Sequence, residues 1–359
     1  MRKLGLLIDW RLLLPATILV ILGLVMLSSL NPAFFQSQLI AVIISLIAYL
    51  LFSQITLNSF RNFSLPLYII SVFFLIVVFL WGFESHGAAR WITIFGVSLQ
   101  FSELLKPFLL LAMASYLVNN RNTSLRTFLS LIAFLLPVMF FIYKQPDLGN
   151  TLIYGGVALL TMLIFGFPLL WFGLVLLPIV LVTPMLWGFL HDYQRQRVLT
   201  FVNPTRDPLG TSYNTIQAVI AVGSGMWVGR GLTESTQSGL RFLPERHTDF
   251  MFATFSESFG FIGGVIVLFC FTLLFYRMYR IFSLTTDSFS KIFTAGTLSL
   301  FLIHFFLNIG MNIGIVPIVG VTLPFVSFGG SSLLSNFILL GMVSSIGNAI
   351  KSRNVLEIR

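Results

Sequence analysis

The sequence predicts an all-α fold, a polytopic integral membrane protein of about ten transmembrane helices with one large extracytoplasmic loop, residues 191–249, before the eighth. Three observations predict it. Of the 359 residues, 57% are hydrophobic, 15% aromatic and only 9% charged, and the mean hydropathy of +0.95 is one that soluble globular chains do not reach. Apolar runs recur at the length a bilayer demands, roughly 20 residues for a hydrocarbon core about 30 Å thick. Basic residues cluster in alternate connections between those runs, as the positive-inside bias requires.

The runs lie at about 12–30, 38–56, 66–82, 103–118, 128–143, 151–166, 168–190, 250–276, 290–313 and 331–350. Arg2, Lys3 and Arg11 before the first suggest a signal peptide, but the run is long and Ser28-Ser29-Leu30 is a poor cleavage site, so it is read as a retained helix. The sixth and seventh are separated only by Gly166, Phe167 and Pro168. Between the third and fourth, Trp91, Ile92, Ile94, Phe95 and Val97 form a short apolar patch expected to lie along the membrane interface. The 191–249 segment is too long for a mere connection, and within it Asn214 to Trp227 has helical spacing, which predicts a re-entrant or surface-lying helix. Gly314 to Gly330 is uncharged but contains Pro317, Gly320, Pro324 and Gly329, so it cannot sustain a helix. Irregular backbone at membrane depth needs protein or water beside it, and this segment is read as the wall of an outward-facing cavity. The whole, 1–359, reads as a single transmembrane domain, and the lone Cys270 excludes an intramolecular disulfide.

The net charge of +9 invites a nucleic-acid reading, but its placement argues for topology. With both termini in the cytoplasm, Arg61, Arg121, Arg126, Arg277, Arg280, Lys291 and the terminal basic residues are cytoplasmic, and the short external loops keep only Arg90 and Lys144. Acidic residues show the reverse bias. Glu84, Glu103, Asp147, Asp192, Asp207, Glu234, Glu245, Asp249 and Glu257 all fall at or near the outer face, so any chemistry faces outward.

Several of these residues are candidates for chemistry. Glu103 and Lys106, spaced i, i+3, project from one helix face and can pair, either as a structural tie between helices or as part of a site. Glu245, Arg246, His247 and Asp249 crowd immediately before an apolar helix. Asp249 could be that helix's N-cap, but a cap has no use for the three neighbours, which favours a catalytic or substrate-contacting role. Glu257 lies deeper on nearly the same face, where an intramembrane carboxylate is a functional candidate unless Ser256 or Ser258 satisfies it. Arg195, Arg197, Arg206 and Arg230 suit an anionic head group such as a pyrophosphate. The glycines of Gly223-Ser224-Gly225, Gly229 and Gly231 follow no strand, so they resemble a phosphate loop only superficially. No metal-ligand spacing stands out among the scattered histidines, although a divalent ion held by carboxylates, such as magnesium or manganese, stays open.

Read together, seven stretches resemble one family, the SEDS proteins (shape, elongation, division and sporulation). They are Ala89-Arg90-Trp91-Ile92, Gln100 through Lys106, Gln145-Pro146-Asp147-Leu148-Gly149, Tyr193 through Arg197, Gln217 through Gly231, Leu243 through Phe250, and Pro324 through Ser332, in the family's order. Two departures are visible, Glu257-Ser258 where the family has paired glutamates and Phe328 where it has Tyr. The Asp9-Trp10 start and short tails are more similar to the RodA branch than to FtsW.

The resemblance implies peptidoglycan glycosyltransfer at the outer face of the bacterial cytoplasmic membrane, joining lipid II units into glycan strands beside a class B penicillin-binding protein. On that resemblance Asp249 is the catalytic base or positions a divalent ion. Glu103, Lys106, Glu257, Trp91 and His247 support the cavity, and the external arginines hold the departing pyrophosphate. The alternative class is a flippase for the lipid-linked precursor, which would string ionisable residues from face to face. Here they crowd the outer third, which favours chemistry on one side. A scaffold that only docks partner helices leaves the clustered acids without a role.

Overall fold

The computed structural model describes residues 8–85, 88–94, 97–120, 122–186, 188, 195–196, 199, 201–203, 212–232, 237 and 242–357. Each of the ten predicted runs falls on helix. In chain order these are α1 (Trp10–Leu30), α2 (Pro32–Gln54), α3 (Ser64–Trp81), the pair α4 (Phe101–Leu104) and α5 (Lys106–Asn119), α6 (Leu125–Lys144), α7 (Leu148–Phe165), α8 (Leu169–Leu186), α10 (Met251–Leu284), α11 (Ser288–Asn312) and α12 (Gly330–Glu357), with α9 (Tyr213–Ser224) inside the long loop. Among the described residues, 8 helices are long and apolar enough to cross a membrane, and α8 contributes a shorter apolar stretch, Leu169–Pro178.

Local chemistry sets the boundaries. Asp9, Asn31, Ser124, Asp147 and Asp287 each accept a first-turn amide of the helix they precede, and Pro32 opens α2 at a position where no N–H is needed. In the membrane-length window of α12, 83% of residues are buried and in α11 67%, against 22% for α2 and for α3. The last two helices are therefore the centre of the bundle, and α2 and α3 present most of their surface outward. At one end, Asp9 is fully buried and accepts the Nε of Arg277 at 3.0 Å and its Nη2, while its own N–H donates to Ser344 Oγ at 3.2 Å. That contact ties α1, α10 and α12 at the end that also carries Lys291.

Two features depart from expectation. Residues 83–100 form a three-stranded antiparallel meander, β1 (Phe83–Ser85), β2 (Ala88–Ile94) and β3 (Val97–Gln100), with Trp91 opposite Gln100 and Ile94 opposite Val97. The expectation of an apolar patch lying along the interface missed the period-two alternation of Trp91-Ile92-Thr93-Ile94, which suits a pleated strand.

The second departure is in α10, expected to be one continuous span. It breaks at Gly260, whose φ of 67° lies in the left-handed region that favours glycine. A broken helix exposes orphan amides and carbonyls that lipid cannot satisfy. The turn after α9 supplies both kinds of partner. Phe261 and Ile262 donate to the carbonyls of Met226 (2.8 Å) and Trp227 (3.2 Å), while the carbonyls of Glu257 and Ser258 accept from Arg230 (2.9 Å) and Gly231 (3.0 Å). This approach explains Gly225 and Gly229, since a Cβ on them would overlap the Ser256 and Ser258 carbonyls respectively. We expect Gly225→Ala to destabilise the protein by about 1–3 kcal/mol through overpacking. An unchanged melting temperature in detergent would show that this docking is not tight.

Candidate active site

Several stretches far apart in sequence meet at the end of the bundle opposite Asp9. The first is the turn before α10. Glu245 adopts a left-handed φ of 49°, its carbonyl accepts from the N–H groups of Thr248 (3.1 Å) and Phe250 (3.2 Å), and its carboxylate accepts from Thr248 Oγ1 at 2.8 Å. His247 stacks on Phe34 with ring centres 4.4 Å apart. The His247 carbonyl accepts from Phe328 N–H at 2.8 Å, and Ser327 Oγ donates to Thr248 O at 2.6 Å. Gln38 of α2, buried, accepts from Gly329 N–H at 3.1 Å and donates to Ser327 O at 3.4 Å. The turn is thus clasped to the irregular segment ending at Gly329.

Asp249 follows this turn, and the capping role weighed for it falls away. α10 starts at Met251 with Phe250 at the cap position and no side-chain cap. The third amide of the helix, Ala253 N–H, donates instead to Asn312 Oδ1 from α11 at 2.9 Å. The Asp249 backbone carbonyl accepts the side-chain amides of both Asn308 and Asn312 at 3.0 Å. Its half-buried carboxylate lies over Gly320, where an added Cβ would stand 3.4 Å from Oδ2.

Glu103 and Lys106 form the buried pair read from their spacing, at 2.7 Å, and Lys106 is 0% exposed. The Lys106 ammonium, which can only donate, lies 2.9 Å from His304 Nε2. That nitrogen is therefore the acceptor, and the ring proton resides on Nδ1, which faces Thr322 O at 3.3 Å. Thr322 Oγ1 in turn lies 3.2 Å from Ser332 Oγ. Beside this pair, Asp147 accepts from Asn150 N–H (3.1 Å), Asn150 Nδ2 (3.0 Å) and Gln100 Nε2 (3.1 Å), and Arg90 approaches it at 3.7 Å.

What joins Asp249 to Lys106 is a face of α11. His304, Asn308 and Asn312 recur every four residues, so they stack on one side of the helix. They reach respectively Lys106 with Thr322 O, Asp249 O with Val321 O (2.6 Å), and Asp249 O with Ala253 N–H. Residues Gly320 to Thr322 therefore run between the two clusters. Sequence reading missed all three α11 residues. The signal was present as polar side chains at i, i+4 and i+8 in the otherwise apolar second half of the helix, from Leu300 on.

Other expected residues stand differently. Glu257 is fully buried, and its carboxylate accepts from Gln237 N–H at 2.8 Å, which gives it an anchoring contact with the long loop. Trp91 is half-buried on β2 beside Gln100. Arg195 donates to Gly188 O at 2.6 Å and Arg230 Nε to Ser224 O at 3.1 Å, contacts within their own stretch. Arg197 and Arg206 lie outside the described residues. A cavity of about 360 Å³ opens on the other side of the 243–247 turn, against Asn31 and Phe34, and brings Arg246 into reach of a ligand. Among the described residues no three His, Cys, Asp or Glu side chains could hold a metal ion. A divalent cation held by Asp249 would complete its shell with carbonyl oxygens, substrate oxygens or water.

Fold and site define a multi-pass membrane protein with an ionic centre built at one end of its helix bundle. The chain belongs to the FtsW, RodA and SpoVE family of cell cycle proteins, the SEDS family, whose model matches residues 6–352. It is 35% identical over 345 residues to the peptidoglycan glycosyltransferase MrdB of Escherichia coli K12, covering 92% of each chain. It is 33% identical to the probable peptidoglycan glycosyltransferase FtsW of Geobacter metallireducens, over 89% of this chain and 86% of that one. Among solved structures it resembles the rod shape determining protein RodA of Thermus thermophilus, with a TM-score of 0.72, 25% identity and coverage of 96% and 98%. It also resembles a chain from work on structural coordination of polymerization and crosslinking by a peptidoglycan synthase complex, with a TM-score of 0.83, 29% identity and coverage of 96% and 99%.

Proposed function

We propose that this protein is a peptidoglycan glycosyltransferase that joins lipid II units into glycan strands at the outer face of the cytoplasmic membrane, serving rod-shape elongation. Family membership and the near full-length match to MrdB support the activity. The observation that carries the site is the α11 face on which Asp249 and the Glu103–Lys106 pair are both anchored. In this reading both termini are cytoplasmic, and the end holding Asp249 faces outward.

The Asp249 carboxylate takes the proton from a sugar hydroxyl of one substrate. The hydroxyl oxygen forms its bond to the anomeric carbon of the other as the bond from that carbon to the lipid pyrophosphate breaks. Lys106 is fully paired within the protein, so its part is to hold Glu103, His304 and the Thr322 backbone in register. In this reading Arg246, which lines the cavity beside the 243–247 turn, meets the pyrophosphate along with the loop arginines. The neighbour from a complex that couples polymerization to crosslinking supports a class B penicillin-binding protein as partner.

The test uses purified protein in liposomes containing lipid II. Glycan chains resolved on a gel are the expected product. Translocation of a fluorescent lipid-linked precursor without any polymer would overturn this reading in favour of a flippase.

A further inference from the structure

We propose that Asn308 and Asn312 are positioning residues for the Asp249 carboxylate, acting through its backbone without touching substrate; this rests on the reading of Asp249 as the base. Both are 0% exposed, and both side-chain amides end on the same carbonyl, Asp249 O, at 3.0 Å. That carbonyl precedes the cap position and takes no part in α10, whose first described helical bond runs from Thr254 N–H to Phe250 O at 3.0 Å. The helix therefore does not decide which way residue 249 points. Two donors from a different helix do.

Each asparagine also makes a second bond that a generic tie between helices would not need. Asn312 Oδ1 accepts from Ala253 N–H at 2.9 Å and so fixes the first turn of α10 that leads away from Asp249. Asn308 Nδ2 also donates to Val321 O at 2.6 Å and so sets the spacing between Asp249 and the facing Gly320, whose Cβ position would lie 3.4 Å from Oδ2. One amide thus registers both the Cα of the base and the wall opposite it. Reaction rates are sensitive to such placement, because a shift of about 1 Å in a reacting group can lower the rate roughly 10²-fold.

The test compares Asn308→Ala, Asn312→Asp and Asp249→Asn in liposomes with lipid II, with rates normalised to the monodisperse folded fraction. Asn312→Asp keeps the acceptor for Ala253 and removes the side-chain donors to Asp249 O and, at 2.7 Å, to Asn308 O, so it carries the test if Asn308→Ala fails to fold. The expected result for both asparagine variants is a fall in kcat of about 10- to 100-fold, with KM for lipid II within about threefold of the parent. A merely structural role would lower the melting temperature and leave kcat per folded molecule unchanged, and that outcome overturns the proposal. Loss of activity in Asp249→Asn beside parental kcat in both asparagine variants removes the positioning role alone. Parental activity in Asp249→Asn removes the base assignment and the positioning role with it.

Discussion

Asp249→Asn lowers glycan polymerisation by at least about 10²-fold, the scale general-base catalysis supplies, while leaving the melting temperature where it was. The two halves of this expectation come from different atoms of one residue. Asparagine has the same shape but cannot accept the hydroxyl proton, so the chemical step loses its base. The carbonyl of residue 249 anchors the backbone here, and the substitution preserves it together with its bonds to Asn308 and Asn312. The helix start is capped from α11 through Asn312, so no capping free energy is lost either. Asp249→Ala sharpens the point, because it removes the carboxylate entirely and should still melt with the parent. Gel-resolved polymer from lipid II and melting of the detergent-purified protein are the two measurements. A variant that polymerises at the parental rate removes Asp249 from the chemistry, and one that loses several degrees of stability returns it to a structural role.

Lys106→Met destabilises the protein by about 3–5 kcal/mol, because it leaves the Glu103 carboxylate buried without its counter-ion. Lys106 is 0% and Glu103 6% exposed, and among the described residues Glu103 Oε2 meets no hydrogen-bonding geometry, so the carboxylate has little to fall back on. Replacing both partners removes the stranded charge. Glu103→Gln with Lys106→Met should therefore recover most of the lost stability, since paired removal of a buried ion pair is often neutral. Activity should not return, because the His304 ring and the Thr322 backbone lose the ammonium that holds them in register. Denaturation of the parent and the two variants in detergent decides it. Equal stability of the single and double variants would show that the pair carries no special electrostatic weight.

The features that escaped sequence reading share a physical origin. The span at 250–276 looked continuous because a hydropathy window averages over a break at a single glycine. The break is tolerable only because Met226, Trp227, Arg230 and Gly231, some thirty residues earlier, meet its orphan backbone groups. The α11 stripe was hidden for a related reason. His304, Asn308 and Asn312 barely dent the mean hydropathy of a helix that crosses a membrane, and their meaning depends on which neighbour faces them. Glu257 looked like a partner of Asp249 because both lie near one helical face. The break at Gly260 and the loop reaching Gln237 give its carboxylate another contact.

The linear chain by itself determined that this is a membrane protein, where its ten helical runs lie, that its acids gather toward one end, that Glu103 and Lys106 pair, and which family its motifs belong to. Each of these is a local property: transfer of a twenty-residue window into lipid, the spacing of two charges on one helix, or the order of short motifs. The tertiary structure alone decided that Asp249 is not a helix cap, that α10 is broken and mended from a distance, and that the two ionic clusters are held to one face of α11. Those outcomes depend on buried polar groups finding partners across the bundle. Lipid offers a backbone amide or carbonyl no substitute partner, so the packing of distant segments, and not the residues' own neighbours, settles where each one goes.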